Sequence, residues 1–145
     1  MSKIFETPLY PYERAADQDA GGITRHPVVI IGAGPVGLAA AIDLAQFDVP
    51  VVVLDDNDKV SFGSRAICFS KRTLEIMDRL GCGERLTQKG VVWNVGKVFF
   101  DEKETYQFNL LPEEGHKRPA FVNLQQYYIE EYLVDRVREL QAAGK

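Results

Sequence analysis

Cysteine is scarce in this chain. Only Cys68 and Cys82 occur, and their separation fits neither a metal-ligand pattern nor a disulfide framework. Both read as small packing residues, Cys68 beside a helix start and Cys82 in a turn. Positive charge is also short, with 17 Lys and Arg against 21 Asp and Glu and a formal net charge of −4. Without a basic stripe, nucleic acid is not an expected partner. No apolar run is long enough to cross a bilayer, because the longest is broken by glycines and by Asp43. The N-terminus lacks the apolar core of a signal peptide, so no membrane partner is expected and a cytoplasmic location is the default. His26, before a proline, reads as structural, and His116 lies in a charged loop. No Ser/His/Asp arrangement or metal cluster is discernible, so hydrolysis and metal catalysis find no support. There is no internal repeat.

What the chain does have is concentrated in residues 28–37, Val-Val-Ile-Ile-Gly-Ala-Gly-Pro-Val-Gly. An apolar burst stops at Gly32, three glycines follow as G-x-G-x-x-G, and an alanine-rich helical pattern starts at once. Asp55 ends the next apolar run, about twenty residues on, as a dinucleotide fingerprint requires. Gly32 permits the tight strand-to-helix turn. Gly34 lets a pyrophosphate approach the backbone, and Gly37 lets the helix pack closely on the strand. Pro35 sits near the first helical turn, where a missing N–H costs little. Val36 shares that turn, whose N–H groups and dipole favour phosphate. Asp55 is placed to hydrogen-bond a ribose hydroxyl and disfavours a ribose phosphate, hence NADP. Asp56 and Asp58 lie close by and leave that assignment shared.

The length, 145 residues, allows one modest domain. Residues 1–26 are polar, contain Pro8, Pro11, Gly21 and Gly22, and read as an extended arm or tail that Tyr10 and Tyr12 can anchor. Two apolar strands, 28–31 and 51–54, flank a helix whose buried stripe is Leu38, Ile42 and Ala45. Continuous apolar runs of this kind imply parallel strands covered on both faces. After a loop at 57–65, Ser70 can cap a helix facing inward with Leu74, Met77 and Leu80, which Gly81 ends. Two alternating strands follow, with Trp93, Val95 and Phe99 on one face of the first and Tyr106, Phe108 and Leu110 on one face of the second. Residues 101–104 form their turn. Residues 112–119 read as a charged loop. A last helix runs from about Gln125 to Ala142, with Ile129, Leu133, Val137 and Leu140 inward. The order predicts an α/β fold, a partial, doubly wound Rossmann-like domain with parallel strands and an added β-hairpin. A third parallel strand is expected next, so the chain reads as the front of a larger protein.

Beyond the fingerprint, Ser64-Arg65-Ala66, Asp78-Arg79-Leu80-Gly81 and Asn123-Leu124-Gln125-Gln126 leading into Tyr127-Tyr128-Ile129-Glu130 are informative. With residues 32–55 they resemble the FAD-dependent aromatic-ring monooxygenases, the para-hydroxybenzoate and hydroxyphenylpropionate hydroxylase class. The resemblance covers most of residues 27–138. It implies that Gly32, Gly34, Pro35, Val36 and Gly37 cradle the FAD pyrophosphate and that Asp55 holds the adenosine ribose. It implies that Arg65 reaches the phosphate and ribose region, a role suited to a guanidinium. Gln126, or its neighbour Gln125, would meet the flavin side of the cofactor. Gln126 is preferred because Gln-x-x-Ile-Glu-x-x-Leu then falls in register with the family helix. Residues 27–145 would form an incomplete FAD-binding domain, and the hairpin at about 91–110 would belong to the substrate-side sheet.

The resemblance further implies a phenolic or aromatic substrate, NAD(P)H as reductant and dioxygen as oxidant. The family's Asp-Gly and Gly-Asp motifs fall beyond Lys145, so this portion alone is expected to bind FAD weakly or not at all and not to turn over. An NAD-dependent dehydrogenase domain is the alternative enzyme reading, and a non-catalytic dinucleotide-binding module the alternative outside enzymes. Unpaired strand edges point to self-association.

Overall fold

The computed structural model describes residues 6–63 and 65–145. Ser64, part of the Ser-Arg-Ala stretch, and residues 1–5 of the arm lie outside the described residues. The chain divides into two units, residues 1–63 with 130–145, and residues 64–129.

The first unit is built on the fingerprint. β1 (Val28–Ile31) and β2 (Val51–Leu54) pair in parallel, Val28 opposite Val51 through Ile31 opposite Leu54. A parallel pair needs a crossover, and α1 (Pro35–Gln46) supplies it. It buries Leu38, Ala41 and Ile42. Ala41 thus takes the place expected of Ala45, which is half-buried. The expectation that both faces of the strands are covered is not met. Val29, Ile31 and Leu54 are exposed, because the described residues place a helix over only part of this two-stranded sheet.

The arm is more ordered than its composition implies. Leu9 bridges Lys59, and the Tyr10 N–H donates to the Asp58 carbonyl at 2.7 Å. The Arg138 guanidinium lies 4.8 Å from the centre of the Tyr10 ring. Tyr10 therefore anchors the arm. Tyr12 does not: it is exposed, and its hydroxyl bonds Gln18 beside a single 3-10 turn at Ala16–Asp19. His26 is structural as expected, its ring nitrogen 2.6 Å from Asp17.

The second unit holds three short strands, two of which the sequence pattern did not show and the third of which it read as the start of the hairpin. β3 (Cys68–Ser70), β4 (Val91–Trp93) and β7 (Phe121–Asn123) form an antiparallel sheet in the order β3-β7-β4. The central strand buries Val122 completely. Trp93 consequently belongs to this sheet and not to the hairpin face with Val95 and Phe99. Its ring stacks on Phe121 at 5.0 Å, and its Nε1–H donates to Asn123 at 2.9 Å. Asn94 separates the two sheets, its carbonyl accepting from Leu110 and its side chain from Ala120.

The hairpin itself is β5 (Val95–Phe100) and β6 (Lys103–Asn109). Its turn is the two residues Asp101 and Glu102, shorter than the expected 101–104, with Asp101 at φ 48°. Thr105 is an extra residue in the ladder between the pairs Val98–Tyr106 and Phe99–Glu104. Such a bulge sharpens twist and ends strict alternation, which is why a uniform two-residue pattern misplaces side chains here.

α2 (Lys71–Leu80) follows the sequence reading closely. Ser70 accepts the Thr73 N–H, Leu74, Met77 and Leu80 are buried, and Gly81 closes the helix at φ 92°. α3 (Gly83–Lys89) was not foreseen. Its only buried large side chain is Leu86, too little for a periodic signal. Cys82, buried, precedes it directly, so the expected turn position is also a helix start. α4 (Gln126–Ala142) begins one residue later than expected and buries Ile129, Leu133 and Leu140, with Val137 half-buried.

A buried charge organises this unit. The Arg118 side chain is 3% exposed. Its guanidinium grips both carboxylate oxygens of Asp78, reaches Thr87 at 2.8 Å and meets Glu84 at 3.1 Å. Arg118 comes from the charged loop at 112–119. Asp78 comes from the Asp-Arg-Leu-Gly stretch.

Candidate functional site

The glycine turn is positioned by the end of β2. The Gly32 N–H donates to the Leu54 carbonyl at 2.7 Å, extending the parallel ladder into the turn. Gly32 then takes φ 103°, a conformation that side chains rarely adopt. α1 starts immediately, with Gly34 as its N-cap residue and Pro35 in its first turn. No side chain caps this helix, and its first turn holds no acid. The leading N–H groups, those of Val36 and Gly37 among them, are those a helix leaves without an internal acceptor. Val36 is 84% exposed.

The glycines at 34 and 37 face different surroundings. A Cβ on Gly37 would overlap the Gly32 carbonyl oxygen and sit 3.2 Å from Ile30 Cγ2. That glycine serves the packing of helix on strand. A Cβ on Gly34 would meet no atom of the chain within 4 Å. The open space there lies beside the helix N-terminus, where an anion is favoured. The residues present therefore fit a pyrophosphate.

Asp55 closes the other side. One carboxylate oxygen accepts the Ala33 N–H at 2.6 Å, and the other accepts the Asn57 backbone N–H at 2.8 Å and its side-chain N–H at 2.9 Å. The Ala33 N–H, followed by the Asn57 donors, holds this carboxyl below the usual aspartate range, so it is an anion at neutral pH. The carboxylate is exposed, so a ribose hydroxyl can reach it. Asp56 accepts from the Asn57 side chain at 3.0 Å, and the Asp58 carbonyl is bonded to the arm. The tie from Asp55 to the glycine turn and the part of Asn57 were missed in the sequence. The signal was an Asx-turn pattern, Asp followed two residues later by its donor.

In the second unit, the chain after Arg65 is bound to the start of α4. The Gln126 N–H donates to the Ala66 carbonyl at 3.1 Å, and the Leu124 N–H to the Ile67 carbonyl at 2.7 Å. Arg65, which is exposed, and Gln126, 61 positions apart, are thereby brought into one neighbourhood. Gln125 lies just before the helix, with its carbonyl accepting the Tyr128 N–H. Gly32, Gly34, Pro35, Val36, Gly37 and Asp55 are collected in the first unit. Among the described residues, no group of His, Cys, Asp and Glu is arranged to hold a metal ion, and no helix is long and apolar enough to cross a membrane.

A parallel β-α-β unit with this turn and this acid defines a dinucleotide-binding α/β module. A family model described as an FAD binding domain matches residues 25–143, and the chain belongs to that family. It is 30% identical over 120 residues to a flavin-dependent monooxygenase of Mycobacteroides abscessus, covering 77% of this chain and 25% of that protein. A para-nitrophenol 4-monooxygenase of a Pseudomonas species is 35% identical over 65 residues, 45% of this chain and 16% of the relative. Among solved structures, a p-nitrophenol 4-monooxygenase of Pseudomonas putida superimposes with a TM-score of 0.69 at 26% identity, over 78% of this chain and 29% of the other. A flavin-dependent monooxygenase solved with FAD and substrate gives a TM-score of 0.65 at 26% identity, over 81% of this chain and 22% of the other. The chain thus spans about a quarter of the length of these relatives. The family membership displaces the reading as an NAD-dependent dehydrogenase domain.

Proposed function

We propose that this chain is the FAD-binding portion of a flavin-dependent monooxygenase that hydroxylates phenolic or other aromatic substrates with NAD(P)H and dioxygen. The observation that carries it is the glycine turn: space is kept open over Gly34, uncapped helical N–H groups border it, and an anionic Asp55 stands at its edge. Gly32, Gly34, Pro35, Val36 and Gly37 would hold the pyrophosphate and Asp55 the adenosine ribose. Arg65 would supply fixed donors to the phosphate and ribose region, and Gln126 a side-chain amide to the flavin side. The flavin supplies the redox chemistry when bound, and the protein groups bind and orient it. The hairpin, with Phe99, Phe100 and Tyr106 exposed, would serve the substrate-side sheet.

Titration of the chain with FAD, ADP and NADH, followed by amide chemical shifts, tests the reading. FAD and ADP are expected to bind weakly and to move the signals of residues 32–38, with FAD ahead of NADH. Tighter binding of NADH than of FAD, or FAD binding that leaves the signals of residues 32–38 unmoved, defeats it. The same sample is expected to show no substrate-dependent NAD(P)H oxidation, because all of these residues but Gln126 serve the adenosine and pyrophosphate end of the cofactor.

The exposed Val29, Ile31 and Leu54 on a two-stranded sheet also support self-association of the chain on its own. Light scattering is expected to show a mass that rises with concentration. A constant monomer mass would refute it.

A further inference from the structure

Asn57 stands two residues past the acid of the fingerprint, where the sequence offers only a third polar residue in an acidic run. Its side-chain amide has two N–H donors. One goes to Asp55 Oδ1 at 2.9 Å and the other to Asp56 Oδ1 at 3.0 Å. Its backbone N–H also goes to Asp55 Oδ1, at 2.8 Å. Three consequences follow from chemistry alone. The Asp55 carboxylate is held at one oxygen from two directions, which fixes its rotation. Its other oxygen is thereby aimed at the Ala33 N–H, 2.6 Å away in the glycine turn. The neighbouring Asp56 carboxylate is bonded to the same amide, which offsets its repulsion of Asp55.

We infer that Asn57 is a positioning residue for the adenosine end of the cofactor: its amide sets the Asp55 carboxylate so that one group both braces the glycine turn through Ala33 and presents its remaining lone pairs to a ribose. The inference rests on the reading of the turn as the FAD site. Asn57 itself is exposed and packs no core, so its truncation removes hydrogen bonds without opening a cavity.

The test compares the wild-type chain with Asn57→Ala, Asn57→Ser and Asn57→Asp, using ADP as the probe and hydrogen exchange of the Ala33 amide as a second readout. Asn57→Ala is expected to weaken ADP about three- to tenfold and to speed Ala33 exchange by a similar factor, with the thermal midpoint little changed. Asn57→Ser, which keeps a donor, recovers part of both. Asn57→Asp, which sets a third carboxylate against Asp55 and Asp56, is worse than Ala in both. Wild-type ADP affinity and wild-type Ala33 exchange in Asn57→Ala would overturn the inference. So would a general loss of stability in that variant, since the role would then be structural. If the wild-type chain itself fails to bind ADP, Ala33 exchange in the three variants decides whether Asn57 sets the turn.

Discussion

Gly34→Ala is expected to fold as well as the wild-type chain and to lose its response to FAD. The added methyl meets nothing of the chain within 4 Å, and Gly34 already has φ −75° and ψ −179°, extended backbone open to any residue. Restricting the unfolded chain even favours the variant slightly, by about 0.4–1 kcal/mol. The methyl instead occupies the space a pyrophosphate needs to reach the helical N–H groups. Loss of one or two hydrogen bonds to a charged group, at about 1.5–3 kcal/mol each, lowers affinity by at least about tenfold. Gly37→Ala is expected to behave in the opposite way. Its methyl collides with the Gly32 carbonyl, which is backbone and cannot swing aside, so α1 must move off β1. A cost of about 3 kcal/mol is expected for such overpacking. Urea denaturation and FAD titration of the two variants separate these outcomes. Equal stability losses in both, or intact FAD binding in Gly34→Ala, would contradict the assignment of the open space to the cofactor.

The second large effect is expected at Arg118. Removing one partner of a buried ion pair costs about 3–5 kcal/mol, because the other charge is left without its match. Asp78 keeps 18% of its side chain in water and retains Lys117 at 3.2 Å, which places Arg118→Ala at the lower end, about 3 kcal/mol. Lys117→Ala should be close to neutral, since Lys117 is 73% exposed and such pairs contribute little. The pair also gives stability a pH dependence. The Arg118 guanidinium beside Asp78 holds that carboxyl below its ordinary value. The folded pKa is lower than the unfolded one, so the stabilisation is complete above the ordinary aspartate pKa of about 3.9 and is lost as pH falls through the lower folded value. Urea midpoints measured from neutral pH into the acid range should fall over that window in the wild-type chain. The fall should be shallower in Arg118→Met, whose side chain fills the volume without a charge. An Arg118→Ala chain as stable as wild type would show that the pair contributes nothing.

These two regions differ in how far they were legible in the sequence. The glycine turn was readable because its glycines are local, although its tie to Asp55 was not. Gly32, Gly34 and Gly37 answer to backbone geometry within six residues, and Asp55 lies at the end of the next apolar run. α2 was readable for the same reason, with its cap at Ser70, its stripe and its stop at Gly81 contiguous. The Arg118 cluster was not. Its members Asp78, Glu84 and Thr87 are 31 to 40 residues from Arg118, and each alone looks like a solvated polar side chain. The three-residue strands β3, β4 and β7 are too short to show any period, and Val122 reveals a central strand only once its two neighbours are in place. The resemblance to aromatic-ring monooxygenases had singled out the stretch containing Asp78 without giving it a task. The structure supplies one, as the partner of a buried arginine.

The hydrogen bond from Ala33 to Asp55 bears on any attempt to re-engineer nucleotide preference in this module. In dinucleotide modules the acid at the end of the second strand suits a free ribose hydroxyl and a basic residue suits a phosphorylated ribose, so this position is the natural one to change. Here the acid is also a strut between the second strand and the glycine turn. An Asp55→Arg exchange would remove the acceptor of the Ala33 N–H together with the proposed ribose contact, so selectivity and affinity would fall as one quantity. A successful redesign must therefore provide a new acceptor for Ala33 at the same time as a new partner for the ribose.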